Sequence, residues 1–212
     1  MRKIFYTPPK IIRRLFPYTI WETENQKVLL TFDDGPNIET TERILKKLSE
    51  HKIKAAFFCL GENIVKNISI TKEILADGHL VGSHGWNHTK ITKMGTPELI
   101  ADIKKNIEHV SEQLNYNIKY FRPPYGKIYP PQTKIIYQLG LKTVMWSIMT
   151  YDFQNDFSKV KFAIDNFLQN NSIIVLHDSL KSKEIINDSI DYVVESGNKK
   201  GFNFGLPKEC LK

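Results

Sequence analysis

From residue 28 onward, short apolar runs alternate with longer segments patterned for helix, and this alternation is the feature that most limits what the chain can become. The runs are Val28–Phe32, Ala55–Leu60, Leu80–Ser83, Lys119–Phe121, Thr143–Ile148, Ile173–Leu176 and Phe202–Phe204, each of strand length. Between them, Pro97–Leu114 carries Leu99, Ile103, Ile107, Val110 and Leu114 at helical spacing, with proline at its first position and Thr96 placed to cap it. Thr41–Glu50, Ile70–Asp77, Gln132–Leu139, Lys159–Leu168 and Lys183–Glu195 are further helical segments. Strand and helix in strict alternation imply parallel strands joined by right-handed crossovers, hence an α/β sheet or barrel. Seven such units close or nearly close a barrel. At 212 residues, with no repeat and no low-complexity linker, one continuous domain is expected over residues 27–212, with residues 1–26 as an arm packing on it.

In this architecture functional groups gather at the carboxyl ends of strands. The residues just past each run fit that rule. Asp33-Asp34-Gly35-Pro36 comes after the first, His84 to His88 after the third, Arg122-Pro123-Pro124-Tyr125 after the fourth, Asp152 after the fifth, and His177-Asp178 after the sixth. A spacing of four lets one turn or compact loop aim His84 and His88 at a single ion, and Asp34 would complete the set; two surface histidines and an acidic turn are the alternative. Nitrogen and oxygen donors without thiolate suit zinc, with cobalt, nickel or manganese also compatible. Three protein ligands leave a position for water, which marks catalytic rather than structural sites. Arg122 is either a surface charge or a guanidinium that orients a carboxylate base. His177, ending an apolar strand, is either a core histidine or a general acid.

The formal net charge of +7 favours anionic surfaces or is a solvated basic exterior. No Walker-type phosphate loop is present, so a nucleic-acid partner is not expected. Two cysteines build neither a disulfide framework nor a zinc module, and Cys59, inside an apolar run, reads as a buried inert thiol. Pro8, Pro9, Arg13 and Arg14 interrupt the N-terminal segment before a signal-peptide core can develop, and no apolar run approaches the ~18 residues of a membrane span. The expectation is a cytoplasmic monomer, with Ile11, Ile12, Leu15 and Phe16 beside Arg13 and Arg14 as an alternative membrane-surface segment.

The ordered set of strand-end motifs resembles the polysaccharide deacetylase, or NodB-homology, family of carbohydrate esterases (family 4). Thr31-Phe32-Asp33-Asp34-Gly35-Pro36 is similar to its first motif, His84 to His88 to its second, Arg122-Pro123-Pro124-Tyr125 to its third and Leu176-His177 to its fifth, across roughly Lys27 to Leu206. The resemblance implies a deformed (β/α)7 barrel and a metal-dependent N-deacetylase acting on an N-acetylglucosamine-containing glycan or related acetylated sugar. It further implies Asp34, His84 and His88 as metal ligands, Asp33 as base fixed by Arg122, and His177 as acid tuned by Asp152. The backbone N–H of Tyr125 would face the oxyanion, and Phe153 and Leu176 would flank a slot for the acetyl methyl. Departures are Met149 and Phe153, where the family's fourth motif carries aspartate and tryptophan, and Gly85, where a hydroxyl residue commonly follows the first histidine. They motivate a second reading, a carbohydrate-binding protein with weakened catalysis. Trp86, Tyr125, Tyr129 and Tyr151 are candidate sugar-stacking aromatics.

Overall fold

Residue 144 lies in the strand next to one edge of the sheet and residue 148 in the strand at the opposite edge, and that fact sets the shape of the molecule. The computed structural model describes residues 5–212, so the first four residues of the expected arm lie outside the described part. The strands are β1 (Thr19–Ile20), β2 (Leu29–Asp33), β3 (Ala56–Cys59), β4 (Leu80–Ser83), β5 (Tyr120–Phe121), β6 (Lys142–Val144), β7 (Ile148–Met149) and β8 (Ile173–His177). They pair in the order β1-β6-β5-β4-β3-β2-β8-β7, and every named pairing is parallel. Four backbone steps from Val144 to Ile148 span at most about 14 Å, so the two edges lie close together and the sheet curls into a nearly closed barrel. The expected strand Thr143–Ile148 is therefore two strands with a seam between them. Met145 donates to the carbonyl of Ile20 on one edge, while Ser147 donates to that of Ile173 on the other side. Phe202–Phe204 forms only an isolated bridge, Val28 to Phe204. The segment Thr19–Ile20, placed in the arm by its sequence, adds an edge strand to β6.

The helices are α1 (Lys10–Arg13), α2 (Ile38–Glu50), α3 (Gly61–Lys66), α4 (Ile68–Ala76), α5 (Thr96–Leu114), α6 (Pro130–Gln138), α7 (Phe157–Phe167), α8 (Ile186–Lys199) and α9 (Pro207–Cys210). In α5, Thr96 is already the first helical residue and Gly95 takes the cap position without a side-chain bond. Successive strand residues face opposite ways, so each strand feeds two cores. Leu30, Phe32, Phe57, Val81, Ile174 and Leu176 join the large cluster beneath the helices. Leu29, Ala56, Phe58, Leu80, Val144 and Ile173 fill the barrel interior. Along the interior rows toward the carboxyl mouth, β2 runs Leu29, Thr31, Asp33 and β8 runs Ile173, Val175, His177: an apolar floor that turns ionisable at the rim. No helix among the described residues is long and apolar enough to cross a membrane.

Candidate active site

Arg122 lies fully buried in the barrel and holds its mouth together. A guanidinium there is tolerable only if its donors are used. Its Nη1 donates to Asp33 Oδ1 at 2.6 Å and to Thr31 Oγ1 at 2.8 Å, while Nε and Nη2 donate to the carbonyls of Val144 and Met145 at the seam. The cation also stands 4.0 Å from the centre of the Phe58 ring. One side chain thus fixes Asp33 and ties β5 to the irregular strand end that closes the barrel.

Asp34, next in sequence, points a different way because its backbone is left-handed, with φ of 78°. Its carbonyl accepts from Asn63 Nδ2, and its loop is drawn tight against β8. At Gly35 any Cβ would fall 2.2 Å from Asp178 Oδ2, so only glycine permits this approach. Asp178 in turn accepts hydrogen bonds from the hydroxyls of Thr40 and Thr41 on α2 and donates its backbone N–H to the carbonyl of Asp33. Burial raises the Asp178 carboxyl to about 7, against the pull of those two hydroxyls.

Asp34 Oδ1 lies 3.6 Å from His84 Nε2 and 3.2 Å from His88 Nε2. It is buried and has no hydrogen-bond partner. His84 Nδ1 is 2.8 Å from the carbonyl of Arg122, which can only accept, so Nδ1 carries the proton and Nε2 presents a lone pair toward Asp34. Burial lowers the His84 imidazole to about 3 and lowers that of His88, more than the Asp34 charge raises either. Both rings are therefore neutral, the form that binds metal. A neutral imidazole lone pair directed at an unsatisfied carboxylate oxygen, as from His84, repels it unless a cation lies between them. The two separations bracket the ~3.3 Å edge of a tetrahedron with metal–ligand bonds of about 2.0–2.1 Å, and donor atoms of all three residues lie within 4.8 Å of one another. The donor set fits a divalent metal.

Across the mouth, His177 Nδ1 lies 2.8 Å from Asp152 Oδ1, and the His177 backbone N–H donates to Asp152 Oδ2 at 2.7 Å. The Thr150 hydroxyl is a further donor, 2.9 Å from Oδ1. Burial alone would lower the His177 imidazole, but the Asp152 charge and hydrogen bond, with Asp33 and Asp34 beyond, outweigh it and raise the ring to about 9. Its proton is held at neutral pH. Phe153 packs edge-on against the ring with centroids 4.8 Å apart.

Asp33, Asp34, His84, His88, Phe153 and His177 line one cleft of about 640 Å³, together with Tyr125, Lys90, Lys127, Trp146, Met149, Tyr151, Lys181 and Phe5, while Arg122 and Asp152 lie buried behind it. Four of its non-glycine residues, Asp34, His88, Tyr125 and Tyr151, adopt left-handed backbone, at about 1–2 kcal/mol each. Tyr125 packs against His88 with the rings tilted at 51° and 4.4 Å between centroids. Trp86 lies instead under Lys105 on another part of the surface, and Tyr129 caps α6; neither lines the cleft.

Leu176 is a correction. It is fully buried in the cluster beneath the helices, on the opposite face of β8 from His177, and does not reach the cleft. Side chains alternate along a strand, so the inward neighbour of His177 is Val175, not Leu176. Leu176→Ala is expected to cost about 2–5 kcal/mol in denaturant unfolding while KM for an acetylated substrate stays within about twofold; a raised KM at unchanged stability would return it to the binding wall.

The loop that carries His84 and His88 is braced by residues that motif reading missed. Asn106 Nδ2 on α5 donates to the carbonyl of Gly85 at 2.7 Å, and Asp102 accepts from the Trp86 N–H. Helix α5 thus supplies the support that a hydroxyl at position 85 would give. A buried asparagine on the apolar stripe of that helix was the available signal.

A curled parallel barrel that collects such a cluster on its carboxyl rim defines a NodB-type fold. The chain matches the polysaccharide deacetylase family over residues 21–144, and it belongs to that family. Peptidoglycan-N-acetylglucosamine deacetylase PgdA of Listeria monocytogenes is 32% identical over 181 residues, covering 85% of this chain but only 38% of that longer protein. A crystal structure of a peptidoglycan N-acetylglucosamine deacetylase superposes with a TM-score of 0.88 at 29% identity, covering 96% of each chain. A CE4 family pseudoenzyme from Bacillus anthracis, 22% identical, shares the fold with a TM-score of 0.81 over 97% of this chain and 73% of its own. Fold alone therefore does not assign activity, and the site residues must carry it.

Proposed function

We propose that the chain is a metal-dependent N-deacetylase of N-acetylglucosamine-containing glycans, with peptidoglycan the foremost substrate class. The observation that carries this reading is the orphaned, buried Asp34 Oδ1 facing the imidazoles of His84 and His88, with Asp33 and His177 lining the same cleft. Asp34, His84 and His88 would hold the cation, zinc best matching two imidazoles and a carboxylate and cobalt, nickel or manganese being compatible. When bound it supplies Lewis acidity toward the acetyl carbonyl. The names of the relatives support an acetylated glycan as substrate.

The protein's own groups divide the remaining work. Asp33, oriented by Arg122, takes a proton from the attacking water. The Tyr125 backbone N–H donates to the carbonyl oxygen as negative charge develops there. His177 delivers its proton to the departing amine nitrogen, so that acetate and a free amino sugar leave. Asp152 holds the ring in orientation and favours its protonated form. Phe153, Met149 and Trp146 supply the apolar wall for the acetyl methyl. Met149, standing where the family's motif has an aspartate, favours the second reading, a glycan-binding protein with weak catalysis.

Acetate release separates the two. With divalent metal present, acetylated chito-oligosaccharides and peptidoglycan fragments should yield acetate well above a metal-free control. Glycan binding with no acetate beyond that control would leave the binding reading in place of the enzyme.

A further inference from the structure

The arm reaches the cleft, and the residue it delivers there is an aromatic one. The Met149 N–H on β7 donates to the carbonyl of Tyr6 at 2.8 Å, and the Tyr151 hydroxyl donates to the carbonyl of Phe5 at 3.0 Å. The Tyr6 ring is locked among Tyr151, Phe162 and Phe167, with centroids 5.2, 5.0 and 5.9 Å away. Backbone and ring together fix the arm against the segment that carries Asp152. Phe5 itself stays 55% exposed and lines the cleft with Asp33, Asp34 and His177. An aromatic ring left open to water on a well-anchored backbone offers apolar area that a ligand can bury.

We infer that Phe5 forms, with Tyr151, the apolar platform of a sugar subsite beside the acetamide site, taking the face of a pyranose ring next to the residue being deacetylated. This supplies from the arm the aromatic surface that is reduced where phenylalanine replaces tryptophan at position 153. A pyranose presents axial C–H groups on its faces and hydroxyls around its rim, so an exposed ring such as that of Phe5 recognises the face without using a hydrogen bond. Phe5 would therefore set affinity for glycans of two or more sugars and leave the chemical step to the residues of the rim.

The inference rests on the deacetylase reading for its substrate, and its test reads binding as well as turnover. Phe5→Ala, Phe5→Trp and the unchanged protein are compared on N-acetylglucosamine and on its acetylated tetramer, with Kd from calorimetry and KM and kcat from acetate release. Phe5→Ala should raise Kd and KM for the tetramer by roughly tenfold, move kcat by no more than about twofold, and leave the monosaccharide's Kd unaltered, while Phe5→Trp restores the tetramer's affinity. Unchanged tetramer binding in Phe5→Ala would overturn the subsite. A fall in kcat equal for both sugars would also overturn it, because Phe5 would then act through the Asp152 segment. If the unchanged protein binds the tetramer but releases no acetate, the deacetylase reading fails, and the tenfold loss of binding in Phe5→Ala still supports the subsite.

Discussion

Replacing Asp33 with asparagine is expected to lower acetate release by roughly 10²–10⁴-fold while bound metal stays near the wild-type level. The amide keeps the shape of the carboxylate and an oxygen for Arg122 Nη1, but it cannot take up a proton from water at neutral pH. Arg122 would remain fully buried beside a neutral partner, so some stability is lost as well, and breaking a buried pair outright costs about 3–5 kcal/mol. Metal content and unfolding are therefore measured on the same preparation as activity. Loss of metal from a folded variant would make Asp33 a ligand rather than a base, and retained turnover would remove it from proton transfer.

The second large effect belongs to Asp152→Asn. His177 is raised to about 9 only because the Asp152 charge and hydrogen bond, helped by Asp33 and Asp34, overcome burial. Without that charge burial prevails, and the ring loses its proton at lower pH. The basic limb of kcat against pH should then move down, and kcat at neutral pH should fall by roughly 10²–10⁴-fold. A limb that stays in place would show that His177 is not the group titrating there. The same proton links folding to pH. Because the folded value is raised, the stabilisation is complete below the ordinary imidazole value of 6.5 and fades as pH rises toward about 9. In Asp152→Asn this dependence should flatten or reverse.

Local pattern made the rim legible in the sequence. Parallel strands gather the groups at their carboxyl ends on one rim, so Asp33, Asp34, His84, His88, Arg122, Asp152 and His177 could be singled out at the positions just past each apolar run. Asp33, Asp34, His84, His88 and His177 line one cleft, and Arg122 and Asp152 are hydrogen-bonded to them from behind, in keeping with that rule. The features that escaped depend on long-range closure. Thr143–Ile148 looks like one strand because its apolar content is continuous, and only the meeting of the two sheet edges divides it. Leu176 was misplaced by one residue of register, which in a strand exchanges the inside for the outside. Phe5 and Tyr6 lie in no periodic segment, and their place at the cleft arises from hydrogen bonds to residues more than 140 positions away.

On the proposed reading, separate strand ends assemble a cation site whose occupancy governs hydrolysis. Metal-stripped protein titrated with zinc, with bound metal and released acetate followed together in the wild type and in His84→Ala, tests it most directly. One equivalent should bind to the wild type with acetate release rising in step, and both should be lost in His84→Ala. Acetate release from the stripped protein, or a full equivalent held tightly by His84→Ala, would contradict it.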